Sequence, residues 1–283
     1  MDERVAGDFS RLSNEEQKRY LAASRQMTKL ARDHAIPITF APPVKTFSIP
    51  LDGGRVGTVT LPLSLGKVES ATGCVLQLQS EYLIVTAEHV LEEYEKRIGD
   101  GEVLNWQVGN LRPFDPLPRI AWRGSSKHRP KDIIFLRISE QEAKEACADR
   151  THIISASAGW PTSAPQEGQA VLLAGYPSQL REIVSGIVKP GSLSALFRVT
   201  TSTGDGTFKC QYEHAELISF DEQPLPLKDL CTNVGGISGG PVFSVANISY
   251  PLVGVISQAS GAFEEFDKIV IEALEGVPSS FPA

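Results

Sequence analysis

The chain is poor in the features that mark secreted, membrane-bound and nucleic-acid-binding proteins. Its 283 residues include four cysteines, Cys74, Cys147, Cys210 and Cys231. They form no C-x-x-C pair and no Cys/His cluster, so neither a metal site nor a cofactor is expected. No apolar run is long enough to span a bilayer, and no membrane partner is expected. Met1 to Ser10 is acidic and polar with no apolar stretch behind it, which predicts a chain without a secretory leader. Few cysteines and no leader together predict free thiols in a reducing, cytoplasmic setting. The net charge is −7, and no Lys/Arg cluster offsets it. That balance argues against a nucleic-acid partner.

What is present is ordinary globular material, 41% hydrophobic and 22% charged. The 24 glycines and 19 prolines fit many turns between short strands. Residues 1–44 read as an N-terminal helical extension. Ser13-Asn14-Glu15-Glu16 is a capping box, and Leu21, Met27 and Leu30 make a loose apolar stripe ending before Pro37 and Pro42-Pro43. The helix is expected either to pack on the rest of the chain or to dock a regulatory protein. From Lys45 the pattern becomes β, with short strands over 46–49, 56–60, 70–78 and 81–90. Further strands are expected at 103–108, 119–122 and 132–136. After residue 139 comes a linker to about 166, then strands at 168–177, 183–188, 195–200, 208–212, 242–245 and 252–258. Phe266, Ile269, Val270 and Leu274 follow helical spacing and predict a C-terminal helix over 263–274.

The densest chemical signal is Gly235-Gly236-Ile237-Ser238-Gly239-Gly240-Pro241. Glycines let the backbone turn sharply and approach a substrate closely. They leave the Gly236 and Ser238 amides free to aim at one spot, which is the form of an oxyanion hole. A serine needs a base to act as a nucleophile. His89 ends the apolar run Leu83 to Ala87, and Asp132 enters the apolar run Ile133 to Leu136. A histidine takes and returns protons near neutrality, and an aspartate can fix its tautomer.

Thr86-Ala87-Glu88-His89-Val90, Asp132-Ile133-Ile134-Phe135-Leu136 and Gly236-Ile237-Ser238-Gly239-Gly240-Pro241, in that order, resemble the motifs of the chymotrypsin-like serine peptidases. The resemblance covers roughly residues 45 to 275. It implies two six-stranded antiparallel β-barrels, here with an N-terminal helical extension and a C-terminal helix. Residues 45–139 would form the first barrel, 140–166 the linker, and 167–283 the second barrel with the closing helix. It implies a serine endopeptidase with His89, Asp132 and Ser238 as catalytic residues, Gly236 and Ser238 as the oxyanion hole, and a protein or peptide substrate. By position, Thr232 would lie near the base of a specificity pocket, with Ser257, Gln258 and Ala259 along its wall. His214 could approach that pocket, and His128 reads as a loop residue. Two departures stand out. Ile237 replaces the aspartate that pairs with a freed N-terminus in the digestive branch, which excludes that mode of activation. No cysteine follows Ser238 to close the family's usual pocket disulfide with Cys231. A silent binding module and an esterase are the alternative functions. The order His, Asp, Ser disfavours the α/β-hydrolase form of an esterase.

Overall fold

The computed structural model describes residues 13–51, 55–62, 68–124, 131–147, 152–156, 159–180, 182–184, 187–189, 191–203, 206–213, 235–246, 249–260 and 266–281. Helix α1 spans Asn14–His34. It starts as the sequence requires, with Ser13 accepting from the Glu16 amide and Glu16 reaching back to the Ser13 amide. Strands β1 (Ile36–Ala41), β2 (Val44–Leu51), β3 (Arg55–Pro62), β4 (Glu69–Leu78) and β5 (Glu81–Thr86) follow. Helix α2 (Glu88–Gly99), β6 (Asn105–Val108), β7 (Ile120–Arg123), β8 (Ile134–Ile138), α3 (Glu140–Cys147) and β9 (Ile154–Ser155) complete the first half. The second half holds β10 (Ala170–Gly175), β11 (Glu182–Val184), β12 (Ile187–Lys189), β13 (Leu193–Ser202), β14 (Thr207–Glu213), β15 (Pro241–Ser244), β16 (Leu252–Ser260) and β17 (Phe266–Ala273).

The second half closes into a six-stranded barrel in the order β10-β13-β14-β17-β16-β15, with every pairing antiparallel. In the first half the strand order is β6-β1-β4-β5-β8-β7, with β9 added in parallel to β4. Among the described residues this sheet curves round one core as a half-barrel, and together with the closed barrel it makes the two-barrel arrangement expected. The β2–β3 hairpin pairs within itself, as does β11–β12, which the sequence suggested as one strand.

Two further expectations are corrected. The closing element is strand β17, not a helix. Ile269, Ile271 and Ala273 alternate into the barrel core, and β-branched residues pack well on a pleated surface. Pairing to β14 on one side and β16 on the other removes the exposed edges that a helix would have left. The first sheet also begins at Ile36, ahead of Lys45, because β1 pairs with both β4 and β6.

Three cores explain the near-continuous apolar runs in the first sheet. Val75, Ile84, Ile134 and Leu136 face the inside of that sheet, with Trp106 and Tyr94. Their neighbours Cys74, Leu76, Leu83, Val85 and Phe135 face the other way, onto Leu172, Phe243 and Val255 of the barrel. A strand buried on both faces has no polar positions left to alternate. The third core fills the closed barrel and includes Phe208, Val242 and Ile271. Helix α1 lies on β10, β13 and β15 and contributes Ala31 to the core between the halves. The chain end returns to the same core through Phe281, whose ring sits 4.9 Å from that of Phe135. This shared core sets the two halves side by side, and the candidate site lies along their junction.

Among the described residues, Cys74, Cys147 and Cys210 are free and buried. Burial pushes the Cys147 thiol up to about 11, which keeps it protonated and unreactive near neutral pH. Cys231 lies outside the described residues, and no described helix is long and apolar enough to cross a membrane.

Candidate active site

His89 is the second residue of α2, not the end of a strand. Strand β5 stops at Thr86, and the helix starts one residue after Ala87. A tether from β7 holds this first turn. Arg123 donates from Nε to Oε1 of buried Glu88 at 2.9 Å, and from Nη1 and Nη2 to Glu95 at 3.0 and 3.1 Å. One planar guanidinium therefore pins both the start and the second turn of α2. Nothing local in the sequence marks this clamp, since Arg123 lies 35 residues from Glu88 and 28 from Glu95.

Asp132 lies just before β8 and meets His89 through two bonds. The His89 amide donates to Oδ1 at 2.8 Å, and Nδ1 lies 2.7 Å from Oδ2. The pair fixes the tautomer with the proton on Nδ1 and leaves the Nε2 lone pair outward. Ser257 Oγ donates to the same Oδ2 at 2.6 Å. Burial alone would raise the Asp132 pKa, but the bonds from His89 and Ser257 outweigh it and hold it below the ordinary carboxylate value. For His89, burial favours the neutral ring. The hydrogen bond to Asp132, its charge and that of Glu92 outweigh burial and raise the pKa above the ordinary histidine value.

Neighbouring Lys131 is 7% exposed, and its Nζ donates to Ala273 O on β17 at 2.8 Å. The segment that carries Asp132 is thereby stitched to the barrel.

Ser238 sits in the turn before β15. Its Oγ donates to Ser257 O at 3.4 Å, a long bond that leaves the hydroxyl loosely held. Ile237 is 2% exposed in the barrel core and anchors the turn. A Cβ on Gly175 would come within 2.8 Å of the Ile237 Cβ, so a glycine is required opposite it. Gly236 and Gly239 have φ of +98° and +83°, which glycine adopts at little cost.

Neighbouring carbonyls are held so that the amides of the turn aim outward. Ser178 N donates to Gly235 O at 2.6 Å, and Gly240 N donates to Ile237 O at 2.9 Å. In a trans peptide the N–H points opposite to the C=O, which turns the Gly236 and Ser238 amides away from those contacts. Among the described residues no acceptor takes either amide. The turn thus presents two amides without an internal acceptor, and its hydroxyl bonds Ser257 O. Among the described contacts Ser238 and His89 are linked through Ser257 and Asp132, with no direct hydrogen bond between them.

Of the specificity residues suggested by position, Thr232 lies outside the described residues, as do His214 and His128. Ala259 is on β16 with its side chain undescribed, and Gln258 is exposed. Ser257, placed along the pocket wall in the sequence reading, spends its hydroxyl on Asp132 and its carbonyl on Ser238. Among the described residues, no three His, Cys, Asp or Glu side chains gather so as to hold a metal ion.

A closed antiparallel barrel beside a half-barrel, with the site at their junction, defines the two-barrel chymotrypsin-like fold class. No protein-family model and no curated protein matches the sequence. Among solved structures the chain is similar to the protease Anisep from Arthrobacter nicotinovorans, with TM-score 0.45 and 15% identity over 86% of this chain and 90% of that one. It is also similar to the thermostable serine protease AL20 from an extremophilic microorganism, with TM-score 0.46 and 13% identity over 86% and 91% of the two chains. A human pathogenic astrovirus serine protease matches with TM-score 0.38 and 12% identity over 85% and 90%.

Proposed function

We propose that this chain is a serine endopeptidase that cleaves peptide bonds through an acyl-enzyme, with Ser238 as nucleophile, His89 as general base and Asp132 as its orienting partner. The observation that carries the reading is the clamp on Asp132. His89 and Ser257, one from each half, converge on Oδ2. This leaves the imidazole Nε2 as the free base at the junction that carries Ser238.

In the first step Ser238 Oγ attacks the substrate carbonyl carbon while its proton passes to His89 Nε2. The carbonyl oxygen becomes an oxyanion and accepts from the Gly236 and Ser238 amides. His89 then protonates the amine as the C–N bond breaks, leaving an ester on Ser238. Water repeats the sequence: its proton goes to His89, its oxygen bonds the acyl carbon, and Ser238 leaves with the returned proton. Asp132 stays ionised throughout and stabilises the imidazolium. The long Ser238 bond to Ser257 O is broken when Oγ turns to the base. Catalytic contacts of this kind tighten on substrate binding.

The test is labelling with a fluorophosphonate probe and digestion of casein, each with wild type and Ser238→Ala. The reading expects a label on Ser238, casein cleavage by wild type, and neither by the variant. Labelling with ester hydrolysis but no peptide cleavage would assign an esterase. Absence of labelling would assign a binding module.

A further inference from the structure

We infer that Thr72 is a positioning residue for the oxyanion hole, acting through the Gly236 carbonyl; the inference rests on Ser238 being the nucleophile. Thr72 lies on β4 in the first half and is fully buried. All of its polar groups are engaged, each across a segment boundary. Its amide donates to Ser238 O at 2.9 Å. Its Oγ1 donates to Gly236 O at 2.7 Å and accepts from Tyr176 N at 2.8 Å. Its carbonyl accepts from Thr86 Oγ1 at 2.7 Å, three residues before His89. One residue thus touches the serine turn twice, the end of β10 and the entry to the histidine helix.

The Oγ1 contact matters most because of what it holds. Gly236 has a positive φ, and a glycine left to itself has several wells of similar energy. Its entry peptide is held by Ser178 N on Gly235 O, and its exit peptide is held by Thr72 Oγ1 on Gly236 O. With both peptides held, the Gly236 amide keeps one direction. Ser178 N, Gly240 N and Thr72 N are backbone donors that any side chain at those positions leaves in place. The Thr72 hydroxyl, by contrast, is a side-chain contact to this turn that substitution deletes without touching the site. Its partner Tyr176 N lies where the barrel strand β10 ends, so the hydroxyl ties the turn to both halves. A Cβ at Gly236 would press on Tyr176 O at 2.7 Å and Ser178 N at 2.8 Å, so the turn has no room to shift in that direction. Losing the hydroxyl frees the exit peptide, which carries the Ile237 N–H, to rotate. Gly236 is then anchored through its entry peptide alone, and its amide direction loosens through the glycine's own freedom in φ and ψ.

The experiment measures fluorophosphonate labelling of purified, folded protein as a saturation curve. It separates the maximal labelling rate from the half-saturating concentration, since the phosphoryl oxygen occupies the same hole. Thr72→Val keeps volume and branching and removes the hydroxyl, and Thr72→Ser restores the hydroxyl. Loss of one oxyanion donor costs about 10²–10³ in rate, and misaiming one costs less. The expected result is a maximal rate lowered about 10- to 100-fold in Thr72→Val, with half-saturation changed less than about threefold and the Thr72→Ser rate within about threefold of wild type. If Thr72→Val does not fold, Thr72→Cys supplies the same readout through a weaker donor of similar size, with an intermediate rate expected.

Wild-type labelling with an unchanged maximal rate in the variant overturns the role of Thr72 while leaving Ser238 as nucleophile. Equal loss in Thr72→Val and Thr72→Ser also overturns it, because packing would then be the cause. Wild type that does not label at Ser238 overturns both readings together.

Discussion

Ser257 Oγ lies 2.6 Å from Asp132 Oδ2, so a strand of the closed barrel completes the solvation of a carboxylate carried by the other half. The same oxygen lies 2.7 Å from His89 Nδ1. The orientation of the imidazole therefore depends on the two halves staying in register.

Ser257→Ala removes one of the bonds that keep Asp132 ionised. A hydrogen bond to a charged group contributes about 1.5–3 kcal/mol, part of which water recovers in a half-buried site. The fluorophosphonate labelling rate is expected to fall about tenfold, with little change in the melting temperature.

The pH profile follows from the His89–Asp132 pair. His89 must be neutral to accept the Ser238 proton, and its pKa is raised in the folded protein. Labelling is therefore expected to rise with pH through a midpoint above about 6.5, the ordinary histidine value. In Asp132→Asn that midpoint moves down and the rate falls by about 10⁴, because the tautomer is lost. The depressed Asp132 pKa makes a separate stability claim. Its contribution is present above the unfolded carboxylate value of about 3.9 and is lost as pH falls through the folded value. Acid titration of unfolding, wild type against Asp132→Asn, reads it.

Gly239→Ala is expected to be severe. The added Cβ would fall 2.1 Å from Thr86 Oγ1 and 2.2 Å from Thr72 O, at a φ of +83°. Overpacking and positive φ together cost about 2–5 kcal/mol. A melting temperature lower by roughly 5–15 °C is the expected readout, with labelling abolished, because the clash pushes the serine turn off the histidine segment.

Arg123→Ala strands the Glu88 carboxylate, whose side chain is 5% exposed, without its partner. Breaking a fully buried pair costs about 3–5 kcal/mol. Arg123 is itself 30% exposed, so about 2 kcal/mol is the expected loss in denaturant unfolding. Arg123→Lys is expected to recover only part of it, since an ammonium cannot serve Glu88 and Glu95 through one planar fork.

Much of the candidate site was legible because its chemistry is written in local runs. The glycines around Ser238, the apolar strand before His89 and the apolar strand after Asp132 each carry their own signal. Most strand positions in both halves were legible for the same reason, β1, the β11–β12 hairpin and β17 being the exceptions. Thr72 left a faint trace, one hydroxyl inside the apolar run Ala71 to Leu78, and nothing local said where it pointed. Arg123 and Lys131 carry no local signal, because their partners Glu88, Glu95 and Ala273 lie far along the chain. The C-terminal segment misled because Phe266, Ile269, Val270 and Leu274 satisfy a helical period while Ile269, Ile271 and Ala273 satisfy a strand period. Only the open edges of β14 and β16 choose between them.

The amino-acid sequence by itself determined the β-rich character, the capped N-terminal helix, the three motif residues and the glycines that let the Ser238 turn form. These depend on neighbours a few positions apart. The tertiary structure alone decided that β17 closes the barrel, that Ser257 serves Asp132, that Arg123 holds the histidine helix, and that Thr72 ties the serine turn to the opposite half. Each of those is a contact between distant segments, specified by the shape of the shared core and not by any local pattern.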